Sequence, residues 1–198
     1  MKLIKWTIIA AMFIGLTGCD SFTSKTTGEL EEETLERMKT WFDNSGVDDN
    51  ALLQRFETYF TSNDIANPAD SKPDQYMDIL RFIQEPDDFP PLKDKQKITG
   101  MMQKLGISDE DIKNKKHLDY YYDYYMKHKK EVDTSSSYYV FGATIETLNK
   151  IPRLGSPALV AKTLKNQMDK ADLKKELYQK TIVMIFYFDM AMNLREER

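Results

Sequence analysis

Residues 181–188, TIVMIFYF, offer almost no polar face however the segment is wound. Eight residues fall well short of the roughly 20 that a helix needs to cross a bilayer. A stretch apolar all round has to be covered on every side, and packed neighbours are what cover it. The segment from Asp172 to Glu197 is therefore expected to be the central helix of a core.

The rest of the chain supplies the neighbours. Leu30, Leu35, Met38, Trp41 and Phe42 recur at mostly three- and four-residue steps, as expected for one face of a helix. Leu52, Leu53, Phe56, Tyr59 and Phe60 form a second such face, and Tyr76, Ile79, Leu80 and Ile83 a third. Ile98, Met101, Met102 and Leu105 form a fourth, closed by Gly106. Ser108 with Asp111 three residues later opens a helix whose first-turn acids suit its dipole. Ser156-Pro157 opens another, with Leu159, Val160, Leu164 and Met168 inward. The fold class is all-α, an irregular bundle of about seven or eight helices. Three prolines in EPDDFPP, residues 85–91, make the largest interruption, and a boundary between two lobes could fall there. YYVFGATIETLNKI could begin as a short strand or form a helix with Gly142 inside it.

The helix opened by Ser108 runs into DYYYDYYMKHKK, residues 119–130. At about 100° per residue, Leu118, Tyr121, Tyr122 and Tyr125 share a broad core-like stripe, while Tyr120 and Tyr124 point toward the opposite side. His128 follows Tyr124 by another four residues. Tyr120, Tyr124 and His128 thus form the candidate row for contact with a partner or ligand, since tyrosine joins apolar area to a polar tip. The plainer reading of the same row is a half-exposed amphipathic row packed beneath a neighbouring helix.

The first twenty residues, MKLIKWTIIAAMFIGLTGCD, have the layout of a secretion signal: Lys2 and Lys5, then an apolar run from Trp6 to Leu16. Leu16-Thr17-Gly18-Cys19 resembles the lipobox of bacterial lipoproteins, with a branched apolar residue, two small residues and a cysteine in order. The resemblance implies cleavage after Gly18 and a thioether-linked diacylglycerol on Cys19, and admits acylation of the new amine. Two or more chains anchor stably where one is marginal. It divides the chain into a signal peptide (1–18), a lipidated N-terminus and flexible polar tether (19–28) and a helical domain (29–198). Membrane lipid is then the first partner, and the domain faces the periplasm or exterior. In enterobacterial lipoproteins an aspartate after the cysteine, here Asp20, marks inner-membrane retention; elsewhere the choice of membrane stays open. Cys19 is the only cysteine, so no internal disulfide holds the domain together.

Processing leaves 26 of the 28 basic residues against all 32 acidic ones, a formal charge of −6. Nucleic acid is not the expected partner, because binding it relies on a basic surface that neutralises phosphates. DNSGVDDN, residues 43–50, reads as a turn: Gly46 as the sixth residue of a calcium loop would put Trp41 at the first ligand position. His117 and His128 would stand roughly 16 Å apart along one helix, too far to share a metal. No G-x-S-x-G elbow, H-E-x-x-H pair or P-loop occurs, and no cofactor, metal or catalytic residue is assigned. A carboxylate pair for sugar hydrolysis stays open, because its spacing is three-dimensional. Three classes follow: a tethered domain that binds a protein at the envelope as inhibitor, immunity or accessory factor; a receptor for a small ligand or glycan; and a carboxylate-dependent cell-wall hydrolase. The first is favoured.

Overall fold

Hydroxyls and carboxylates punctuate the chain, and six of the described helices begin where they stand. The computed structural model describes residues 25–85, 89–151 and 156–193. Among these there are nine α-helices and no strand: α1 (Thr27–Ser45), α2 (Asp49–Ser62), α3 (Lys72–Gln84), α4 (Lys95–Lys104), α5 (Asp109–Lys113), α6 (Asp119–His128), α7 (Ser137–Lys150), α8 (Pro157–Gln167) and α9 (Glu176–Asn193). Short 3-10 turns at Lys116–Leu118 and Lys170–Lys174 precede α6 and α9. The side chains of Thr26, Asp48, Ser71, Ser108, Ser136 and Ser156 each accept an amide of the first turn of α1, α2, α3, α5, α7 and α8. Such a cap stabilises a helix by about 1 kcal/mol. Gly46, at φ +62°, ends α1, and residues 43–50 are the expected turn into α2.

Thr181 through Phe188 are each at most 1% exposed, so the apolar run is indeed the inside of the molecule. Around α9 pack α1, α2, α4, α5 and both 3-10 turns, while α3 lies against α8 and α7 lies between α6 and α8. One hydrophobic cluster draws on residues from both sides of the 85–91 break. Rings knit it: Phe141 stacks on Tyr178 at 5.0 Å, and Phe56 meets Tyr187 edge-on at 5.5 Å. Such aromatic pairs each contribute roughly 0.5–1.5 kcal/mol beyond their area.

Three expectations are corrected. The tether expected as far as Gly28 ends earlier: Thr26 and Glu29 cap each other's backbone amides in a capping box, and α1 starts at Thr27. The single helix expected from Ser108 through the tyrosines is broken, because Lys115 adopts a left-handed backbone at φ +59°. That break raises the helix number above the seven or eight expected. Leu159, expected inward, is 53% exposed, while Val160, Ala161 and Leu164 carry the inner face of α8.

The open choice at residues 138–142 resolves to helix. A Cβ on Gly142 would lie 2.2–2.4 Å from atoms of the Tyr125 ring, so glycine is what lets α6 and α7 close. Glycine within a helix costs about 1 kcal/mol in propensity, and the buried aromatic contact offsets it.

Two cations are drawn into the core by α9. Lys115, 5% exposed, donates to both oxygens of Asp189 at 2.8 and 2.6 Å. Lys180, 3% exposed, holds Asp49 at 2.5 Å and also Glu176. Burial raises the Asp189 carboxyl above the usual range even beside Lys115. His117, between Lys115 and α6, presents its ring nitrogens to the carbonyls of Asp111 (3.3 Å) and Met184 (3.1 Å). Desolvation pushes its pKa down to about 4.

Candidate functional site

The tyrosine run is where the chain's start meets its middle. Trp41 of α1 stacks on Tyr120 at 6.1 Å, and Arg37 lies over the Tyr124 ring at 4.4 Å. Rising residue numbers in α1 thus face falling numbers in α6, and the two helices run antiparallel. Tyr121 and Tyr125 are fully buried, as their stripe requires. Tyr121 stacks on Tyr138 at 5.1 Å and donates to its carbonyl at 3.0 Å.

The outward orientation expected for Tyr120 and Tyr124 is not found. Tyr124 is 3% exposed, and Tyr120 is half-buried with its hydroxyl 3.1 Å from that of Thr181. Tyr122, expected in the core stripe, is half-buried too. The cause is local. Leu118 belongs to a 3-10 turn, whose residues advance by about 120° rather than 100°, so using it to set the phase of α6 turned the stripe toward Tyr122.

What covers Tyr124 is the first described residue. The Lys25 ammonium reaches the Glu33 carboxylate at 2.5 and 2.6 Å and the Tyr124 hydroxyl at 2.9 Å, and Tyr124 donates to the same carboxylate. The Lys25 amide also donates to Glu131, just after α6, at 3.3 Å. His128 completes the enclosure, its ring 4.7 Å from that of Tyr124 and its Nδ1 3.4 Å from Glu131. Hydrogen bonds from Lys25 hold the Glu33 carboxyl below its ordinary range, and the same partners raise the lysine. Desolvation and the bond to Glu33 raise the Tyr124 phenol. Tyr124 and His128 therefore enclose this chain's own N-terminal approach, while Tyr120 packs on Trp41 and Thr181. Cys19 itself lies outside the described residues.

Among the described residues, two concavities stand open to solvent. The larger, about 390 Å³, lies between α2 and the 91–94 segment, with Tyr59, Tyr187 and the Arg55–Asp94 pair (2.6 Å) on its walls. Asp94 is the one carboxylate among its described lining residues, so they present no pair of carboxylates. The smaller, about 220 Å³, is a groove between α7 and α8 lined by Val140, Ala143, Leu148, Leu159 and Val160. Ile151, at the end of α7, is 48% exposed, so two large apolar side chains face solvent on this pair of helices. No group of three or more His, Cys, Asp or Glu is placed to hold a metal ion among the described residues.

Sequence reasoning missed Lys25, Glu33 and Arg37 as partners of the row, though Thr26-x-x-Glu29 is a readable helix start that brings them into register. The pair Lys115–Asp189 left no local signal, since its members are 74 residues apart. No protein-family model, curated protein or solved structure matches the chain.

Proposed function

We propose that the chain is a membrane-tethered lipoprotein whose helical domain binds another protein at the cell envelope, as an inhibitor, immunity or accessory factor. The observation that carries the binding part is the α7–α8 groove with Leu159 53% exposed at its edge. A large apolar side chain turned to water beside an apolar hollow is a place where a partner's side chain removes area from solvent. The partner offers an apolar anchor to the groove, and a mature chain of charge −6 suits a partner that is basic as a whole. The signal layout and Leu16-Thr17-Gly18-Cys19 support the tether. Among the described residues, no helix is long and apolar enough to cross a membrane.

The test is a pair of variants, Leu159→Glu and Ile151→Glu, both at exposed positions that the fold tolerates. A stoichiometric protein partner cross-linked to the wild-type chain in its native membrane should be lost from both variants while their melting is unchanged. Equal recovery from variant and wild type would remove the groove.

The second reading, a small-ligand receptor, rests on the larger concavity. Its mixed walls, with Tyr59, Tyr187, Gln54 and Asn63 beside the Arg55–Asp94 pair, fit a polar ligand with a flat apolar face. Ligand-induced quenching of tyrosine fluorescence that Arg55→Ala abolishes would favour it.

A further inference from the structure

We infer that the larger concavity is a binding site for a free α-amino acid, whose carboxylate and ammonium meet Arg55 and Asp94. The inference deepens the second reading above, the small-ligand receptor, and owes nothing to the α7–α8 groove or to the tether. It follows from how the pair is set. At three- and four-residue steps, Ala51, Arg55, Thr58 and Ser62 turn one face of α2 to the concavity, and residues 91–94 form the wall opposite. Tyr187 of α9 lines it from the core side, its phenol raised by burial and then by the Asp94 charge nearby. The hollow measures about 390 Å³, and pockets for small ligands run from roughly 300 to 1,000 Å³.

The two charges are incompletely spent on each other. Arg55 gives Asp94 one N–H, from Nη1 to Oδ2 at 2.6 Å, while its Nε is shut off from solvent and bonded to nothing among the described residues. Asp94 stands at the N-cap of α4, yet its side chain takes no amide of that helix, and its Oδ1 meets the largely exposed Lys97 at 3.4 Å. Lys93, exposed, is the remaining charge among the described lining residues. A lone anion on Arg55 is opposed by Asp94, and a lone cation on Asp94 by Arg55, Lys93 and Lys97. An α-amino acid carries both charges one carbon apart. A guanidinium has five N–H groups and a carboxylate about four acceptor sites, so each end of the ligand finds its opposite while the Arg55–Asp94 bond stays made, and the complex gains no net charge. Charge-assisted hydrogen bonds are roughly twice as strong as neutral ones, which favours this ligand over an uncharged sugar in the same hollow. Ala51, Leu92 and the rings of Tyr59 and Tyr187 supply apolar area for its side chain.

The experiment follows melting of the full chain with each of the common L-amino acids, and with glucose and N-acetylglucosamine alongside; calorimetry then gives the affinity of the amino acid that raises melting most. Analogues of that amino acid without the ammonium, or without the carboxylate, are smaller than the parent and fit wherever it fits. Each should bind roughly 10- to 150-fold more weakly. Asp94→Asn should weaken the amino acid by a similar factor and leave the analogue without an ammonium no weaker than before. Arg55→Gln should do the same with the analogue that lacks the carboxylate. Because the pair is partly exposed, both variants should melt close to wild type without ligand, and the analogue comparison needs no variant. An analogue that binds as tightly as its parent overturns the inference, as does an amino acid held equally by wild type and both variants. Melting raised by a sugar and by no amino acid overturns the inference and leaves the receptor reading standing; melting raised by neither overturns both.

Discussion

The Lys25 ammonium and the Tyr124 hydroxyl meet at 2.9 Å across 99 positions of sequence, with the Glu33 carboxylate bonded to both. This phenol is one of the links between the start of the helical body and its middle, beside the Lys25 amide on Glu131 and Thr34 on the Tyr138 hydroxyl. Tyr124→Phe keeps the ring under Arg37 and removes the two hydrogen bonds. Hydrogen exchange should then quicken at the amides of residues 25–30 and stay unchanged in α9. Exchange at residues 25–30 that is the same in Tyr124→Phe and wild type would show that the phenol fixes nothing.

Lys115 and Asp189 make the second long-range bond, and it is buried. Removing one partner strands the other charge, so Asp189→Leu or Lys115→Met alone should lower unfolding free energy by roughly 3–5 kcal/mol in urea titration. The double variant should recover most of that loss, because a hydrophobic pair no longer needs desolvated charges. Additive losses would mean the two side chains are uncoupled.

Gly142→Ala raises helix propensity by about 1 kcal/mol, yet should destabilise the domain. The new methyl meets the Tyr125 ring at 2.2–2.4 Å, and overpacking of that kind costs about 1–3 kcal/mol or more. Combining it with Tyr125→Leu should make the alanine nearly neutral. A rise in melting temperature for Gly142→Ala alone would contradict the close approach of α6 and α7.

His117 gives the domain an acid weakness. Its folded pKa of about 4 lies below the unfolded value of 6.5, so only the unfolded chain takes a proton between them. Its contribution is fully present above pH 6.5 and is lost as pH falls toward 4, by roughly 3 kcal/mol in all. Asp189, held above the usual carboxylate range, works in the opposite direction at the acid end. In His117→Gln the fall in urea midpoint between neutral and mildly acid pH should be shallower than in wild type.

The sequence made the helices legible because their signals are local: serine and threonine caps, glycine stops and three- to four-residue spacing. The central position of α9 was legible for the same reason, since residues 181–188 admit no solvent face. Contacts between distant residues were not. Nothing near Tyr124 reveals that Lys25 and Glu33 will cover it, and nothing near Lys115 reveals Asp189. Leu118 belongs to the 3-10 turn before α6, so a wheel started there placed Tyr122 inside and Tyr124 outside. Exposed Leu159 was misplaced because spacing separates faces but does not say which of two adjacent apolar residues a neighbour will reach.

The account turns on the state of one sulfur. Intact-mass and peptide mass spectrometry of the chain extracted from its native membrane should find a first residue at Cys19 carrying a thioether-linked diacylglycerol. Cys19→Ser should move the protein out of the membrane fraction. A free Cys19 thiol, or equal membrane retention of Cys19→Ser, would contradict the tether and everything placed beside it.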